Sequence, residues 1–296
     1  MPVPTSATVL ATASGTLDAS APQVAVPAIG RSLHAGVAGL QWTLTGYLLT
    51  VAALLLLSGA LADRFGRRRL VMVGLCTMLA AAIGCTLAPS VGVLIGARIL
   101  QGIGGAMVVP SSLAMLNGTL RSEDRARGIG IWAGLETLAA SVGPYAAGWL
   151  VDNVTWRAVF LLSAPLIVVG LVVLRWVPDV TFERRGEPVD TIGGGLAVLG
   201  LGGVVYALTS GPDAGWLAPQ VIVTAAVGVG ALTALVVVER RRRAPMLRLS
   251  LFTSRQFDAI NVATFVLYGA LGAAAYLVFL QCECTSATRL RRRARP

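Results

Sequence analysis

Long apolar runs alternate with short charged breaks along the chain. The runs are Trp42–Ala62, Leu70–Ala88, Val91–Leu116, Gly128–Val151, Ala158–Val177, Thr191–Ser210, Leu217–Val238 and Ala259–Leu280. A helix that crosses a bilayer needs roughly 20 mostly apolar residues, so each run predicts one crossing. A weaker stretch from Thr5 to Ile29 is rich in Ala, Ser, Thr and Val and is interrupted by Asp18. Small residues let helices approach closely inside a bundle, so this stretch predicts a further span. The pattern as a whole predicts an all-α, polytopic transmembrane helix bundle of about nine spans.

Composition agrees. Of 296 residues, 55% are hydrophobic and only 13% charged, with a mean hydropathy of +0.76. Soluble domains carry about 25% charged residues. A membrane protein embedded in the lipid bilayer is therefore expected, and a soluble enzyme is not.

The formal net charge is +10, and all of the positive charge is arginine. A basic balance is also found in nucleic-acid-binding proteins. Here the arginines collect in the breaks, so they read as topology signals and no nucleic-acid partner is expected. They follow every second run: Arg64 to Arg69, Arg121 to Arg127, Arg184/Arg185, then Arg240 to Arg243 with Arg248 and Arg255. The opposite breaks at Ala88–Ser90, Asp152–Trp156 and Gly211–Trp216 carry almost none. The alternation predicts a multi-pass protein with its N-terminus in the cytoplasm.

No Lys or Arg precedes Arg31, so no ordinary signal peptide is expected. Cys76 and Cys85 read as small core residues, and His34 as a surface or interfacial one. Cys282 and Cys284 form a C-x-C pair that no second Cys or His cluster completes. No metal and no cofactor are expected. The tail after Leu280 has five Arg in its last eight residues, on the side the charge rule disfavours. It reads as an aberrant end to the fold, of the kind a frameshift or premature stop leaves.

Three ionisable residues fall inside spans: Asp18, Arg98 and Glu136. Each costs about 2.5–3.5 kcal/mol on an insertion scale and by default faces a bundle interior or a substrate or ion path. An interhelix charge pair is the competing reading. Taking a carboxylate out of water disfavours its charged form, which makes Asp18 and Glu136 candidate proton carriers. Trp132 and Tyr145 are candidate cavity-lining aromatics.

Motifs add a resemblance. "GALADRFGRRRL" at Gly59–Leu70, with Gly59, Asp63, Arg64, Gly66, Arg67 and Arg68 in register, resembles the signature between spans two and three of the major facilitator superfamily. "LIGARILQGIGGA" resembles its fourth-span signature, at Arg98, Gln101 and Gly102. "GIWAGLETLAASVGPYAAGW" resembles the fifth-span antiporter signature at Gly130, Gly143, Pro144 and Gly148, with Ala139 and Ala147 where glycine is usual. "LDASAPQVAVP" resembles the first-span signature of the fourteen-span drug:proton antiporters, with Pro22 a departure that is expected to kink the span.

The resemblance implies a major facilitator fold and proton-coupled export of small lipophilic or cationic compounds across a bacterial cytoplasmic membrane. It implies no enzyme activity, and the proton gradient as energy source. The charged loop would act as a conformational latch, and Arg98 would take part in proton coupling. It also implies a domain order: a six-helix transporter half (1–177), a cytoplasmic linker (178–190), two accessory helices (191–238), a basic linker (239–258), the first helix of a second half (259–280) and the tail (281–296). The resemblance stops near Leu280 with about five of the family's spans missing, so export is expected to be impaired in this chain, and two other readings stand beside it: a symporter of another solute, and a truncated product that inserts without transporting. The sequence leaves the oligomeric state open.

Overall fold

The computed structural model describes residues 3–120, 124–177, 191–241, 254–267 and 269–270. It divides into two units, Met1–Met246 and Leu247–Pro296. The described part of the second is helical over residues 255–267 and 269–270; the arginine-rich tail lies outside the described residues.

The first unit is built of helices. In chain order they are α1 (Val3–Ser20), α2 (Pro22–Leu33), α3 (Val37–Phe65), α4 (Arg67–Thr86), α5 (Val91–Thr119) and α6 (Arg125–Asn153). A 3₁₀ helix (Trp156–Leu161), α7 (Ala164–Leu174), α8 (Thr191–Ala214) and α9 (Pro219–Arg241) follow. The all-α bundle expected from the sequence is thus present, with two spans each broken in two.

The first span breaks at Ala21, where Pro22 enters. Proline has no N–H and cannot donate to the carbonyl four residues back, which here belongs to Asp18. The kink foreseen from Pro22 therefore falls beside the span's charged residue. The sixth span opens as a 3₁₀ helix, with the Thr155 hydroxyl accepting from the Arg157 N–H at 3.4 Å, and continues as α7 after Ser163.

Among the described residues, six helical segments are long and apolar enough to cross a membrane, and neither α1 nor α6 is among them. Both are diluted by small and polar residues, and both carry an intramembrane carboxylate, which lowers their apolarity without removing them from the bundle.

Two apolar clusters hold this unit together. One joins α1, α4, α5 and α7 through Ala11, Leu75, Met78, Val108 and Ile167. The other joins α2, α4, α5, α6 and the 3₁₀ helix through Ala25, Cys85, Leu94, Ala147 and Phe160. Along each helix the register leaves a short interval between them, and the buried polar residues Asp18, Arg98, Gln101 and Ser163 fall in it. Cys85 belongs to the second cluster, whereas Cys76 is exposed, contrary to the core reading, because the α4 face it occupies points away from the bundle. His34 is exposed, as expected, and ends α2 in a left-handed conformation with φ 51°.

Helices α8 and α9 pack closely on each other, and α8 packs on α3. A side chain at Gly203 would meet the Thr224 carbonyl oxygen at 2.7 Å. Trp42 of α3 stacks at a tilt on Tyr206 of α8, with ring centroids 5.3 Å apart.

Candidate functional site

Arg98 lies on α5 and is fully buried. Its Nε donates to the Thr43 carbonyl of α3 at 3.0 Å, and its Nη1 donates to Gln101 Oε1 at 2.7 Å. The guanidinium sits over the Tyr47 ring, 4.4 Å from its centroid, with Phe160 at 6.0 Å. Hydrogen bonds and aromatic faces thus replace the water that a charge loses on entering the bundle.

Asp18, 4% exposed, faces this assembly from α1. Its carboxyl interacts with Ser163, Arg98 and Gln101. Asp18 and Arg98 make no direct ion pair, since the guanidinium is spent on Thr43 and Gln101. The simple interhelix salt bridge considered from the sequence is absent. A buried carboxyl and a buried guanidinium thus share one site without direct contact.

Tyr47, Thr43, Ser163 and Phe160 were not anticipated. Tyr47 ties the site to α1, its hydroxyl donating to the Gly15 carbonyl at 3.0 Å. The signal for the first two was the recurrence of Thr43 and Tyr47 at helical spacing in an apolar run, the arrangement that aims polar groups along one face. Ser163 and Phe160 carried no such signal.

Glu136 is not part of this site. It is half-buried on α6 and faces Thr12, further along α1. Near it, α1, α6 and α7 enclose an apolar cleft of about 480 Å³ lined by Val9, Leu17, Leu135, Leu138, Val142 and Leu166. Tyr145 is 83% exposed and lines no part of that cleft, and neither does Trp132.

The fourth- and fifth-span glycines fall into two kinds. Gly102 lies against α3, where a side chain would meet the Tyr47 carbonyl oxygen at 2.7 Å. Gly143 sits where α6 crosses α1, and a side chain there would meet Leu17 and Ser20 at 2.9 Å. Pro144 follows within α6, and Gly148 comes near Val24 at a looser 3.8 Å. Gly130 faces open space.

The charged loop is a single-residue joint. Gly66 (φ 96°, ψ 132°) ends α3 and begins α4 at once, a conformation that residues with a Cβ avoid. Arg67 bonds Asp63 Oδ1 at 3.2 Å and donates to the Ala114 carbonyl at the end of α5 at 2.7 Å. Arg68 donates to the Arg175 carbonyl beyond α7 at 3.1 Å. Arg64 is exposed and lies over the neighbouring Phe65 ring at 5.4 Å, and Gly59 faces open space. The loop gathers the ends of α3, α4, α5 and α7, about five helix turns (~28 Å) along α3 from Tyr47 of the buried site.

Comparison with known proteins fits this geometry. A family model described as Major Facilitator Superfamily matches residues 8–281. The chain is 34% identical over 270 residues to the methylenomycin A resistance protein of Bacillus subtilis, covering 90% of this chain and 57% of that one. It is 36% identical to the multidrug resistance protein Stp of Mycobacterium tuberculosis (86% and 48% covered) and 32% identical to the tetracenomycin C resistance and export protein of Streptomyces glaucescens (92% and 52%). A crystal structure of the peptide transporter POT in complex with sulfate superposes with a TM-score of 0.58 at 18% identity, covering 81% of this chain and 52% of that one, a likeness of fold. The chain spans about half the length of the relatives it matches.

Proposed function

Because the chain belongs to the major facilitator superfamily, a family of multi-pass membrane transporters, we propose that it works in proton-coupled export of small lipophilic compounds across the cytoplasmic membrane, its N-terminus in the cytoplasm. The observation that carries this reading is the buried pair of unlike charges, Asp18 and Arg98, held together without direct contact. A carboxyl in that setting exchanges a proton in response to a small change in its surroundings, because the neighbouring guanidinium favours the ionised form and burial favours the neutral one. Any movement of α1 against α5 changes that balance.

Asp18 is the proton carrier in this reading, and Arg98 sets its environment. The apolar cleft on α1, α6 and α7 supplies one wall for a lipophilic substrate, with Glu136 nearby as a polar contact for a cationic one. Drug and antibiotic resistance among the relatives supports export. Alternating access rocks two bundle halves about a central site, and the described α1–α7 bundle supplies one. Residues Asp63, Arg67 and Arg68 hold the cytoplasmic helix ends together and bias that motion.

The test is proton release on binding. Purified chain in weakly buffered detergent is titrated with tetraphenylphosphonium, a lipophilic cation. The expected result is proton release that Asp18→Asn abolishes while the circular dichroism spectrum is kept. Binding with no proton release from the unmodified chain sinks the coupling. Drug-dependent proton movement in everted vesicles extends the test to transport.

A further inference from the structure

Three buried polar atoms at the Asp18 carboxyl make no well-formed hydrogen bond: Asp18 Oδ2, Gln101 Nε2 and Ser163 Oγ, the last two lying within reach of the carboxyl without meeting it in good geometry. Gln101 and Ser163 are fully buried and Asp18 nearly so. The three residues come from different elements, α1, α5 and the junction before α7, and both Gln101 and Ser163 interact with the Asp18 carboxyl. Buried polar groups in folded proteins are nearly always partnered, so three unsatisfied atoms facing one another ask for a shared partner.

Their chemistry selects it. Arg98 Nη1 donates to Gln101 Oε1 at 2.7 Å, which fixes the amide so that Nε2 is the group left to donate. Asp18 Oδ2 accepts, and the Ser163 hydroxyl does either. A ligand must therefore donate to the carboxylate, accept from the amide and adapt to the hydroxyl. A metal cation cannot accept from Nε2 and is repelled by the guanidinium. A buried water usually makes about three hydrogen bonds to otherwise unsatisfied groups, and a water has both donors and acceptors.

We propose that Asp18, Gln101 and Ser163 hold a single water molecule against the Asp18 carboxyl, with Ser163 as its positioning residue. This rests on the reading of Asp18 as proton carrier. When a solvent hydronium gives its proton to Oδ2, an O–H bond forms there and the hydronium is left as water. Oδ2 then donates where it had accepted. The held water turns to accept from it and to donate to Ser163 Oγ, so both protonation states are satisfied without moving a helix. The titratable groups that face Asp18 are Arg98 from α5, Tyr47 from α3 and Cys85 from α4, while Glu136 on α6 faces Thr12 instead.

The experiment is infrared difference spectroscopy on the purified chain in lipid discs, acidified in ordinary and in heavy-oxygen water. The expected result is a protonated-carboxyl band accompanied by a water O–H band that shifts with heavy oxygen, both lost in Asp18→Asn. Ser163→Ala should keep the carboxyl band and lose the water band, and Ser163→Thr should restore it. A carboxyl band with no isotope-sensitive water band in the unmodified chain overturns the water site and leaves the proton reading standing, whatever the variants do. An unchanged water band in Ser163→Ala overturns it too. No Asp18-dependent carboxyl band on acidification removes the proton reading itself, and this inference with it.

Discussion

Tyr47 faces Arg98 with its ring, 4.4 Å below the guanidinium, while its hydroxyl donates to Gly15 of α1 at 3.0 Å. One side chain therefore both shelters the buried charge and holds the helix that carries Asp18. The two roles separate by substitution. Tyr47→Phe keeps the ring and loses one hydrogen bond, worth about 1 kcal/mol. Tyr47→Ala also opens a cavity and should cost about 3 kcal/mol or more. Thermal melting of the purified chain should rank the two in that order; equal losses would show that the ring shelters nothing.

Arg98→Lys keeps the charge and loses the fork. A lysine ammonium cannot hold Thr43 and Gln101 in the same geometry. Two charge-assisted bonds are at stake, so a loss of about 2–3 kcal/mol is expected. Denaturant unfolding in micelles reads it, and a stability within about 0.5 kcal/mol of the unmodified chain, the range of a surface change, would contradict it.

Gly143 and Gly130 look alike in the sequence and differ in space. Gly143→Leu forces a side chain against Leu17 and Ser20 and should destabilise by about 2 kcal/mol. Gly130→Leu meets open space and should stay within about 0.5 kcal/mol. Comparing their melting temperatures in one detergent decides the matter.

At the loop, Gly66→Ala places a Cβ where φ is 96° and should cost about 1–3 kcal/mol. Trypsin cleavage near Arg64 and Arg67 should then speed up. Resistance equal to that of the unmodified chain would mean that the joint tolerates another backbone conformation.

Asp63→Asn should change stability by less than about 0.5 kcal/mol, because its pair with Arg67 is a partly exposed i,i+4 contact. Arg67→Ala also loses the bond to the Ala114 carbonyl and should cost about 1.5 kcal/mol. If the two variants melt alike, the carbonyl bond contributes nothing.

Hydropathy and arginine spacing made the spans legible, because lipid demands apolar length and Arg marks the breaks. The break at Pro22 was legible for the same kind of reason, since a missing N–H is written in the residue itself. Ser163 was not. A single hydroxyl among apolar residues reads as filler until folding brings Asp18 and Gln101 to it from far along the chain. The sequence told Glu136 from Asp18 only in part, since Asp18 stands in the first-span motif and Glu136 matches none. Both are carboxylates in spans, and only packing puts one beside Arg98 and the other beside Thr12.

Arg67 and Arg68 grip main-chain oxygens, at Ala114 and Arg175, and every residue type has such an oxygen. The side chains at those two positions are therefore free to drift without loosening the hold. All the information needed for it is stored on one side, in the spacing of the arginines from Gly66. A sequence comparison that looks for paired changes across this contact should find none.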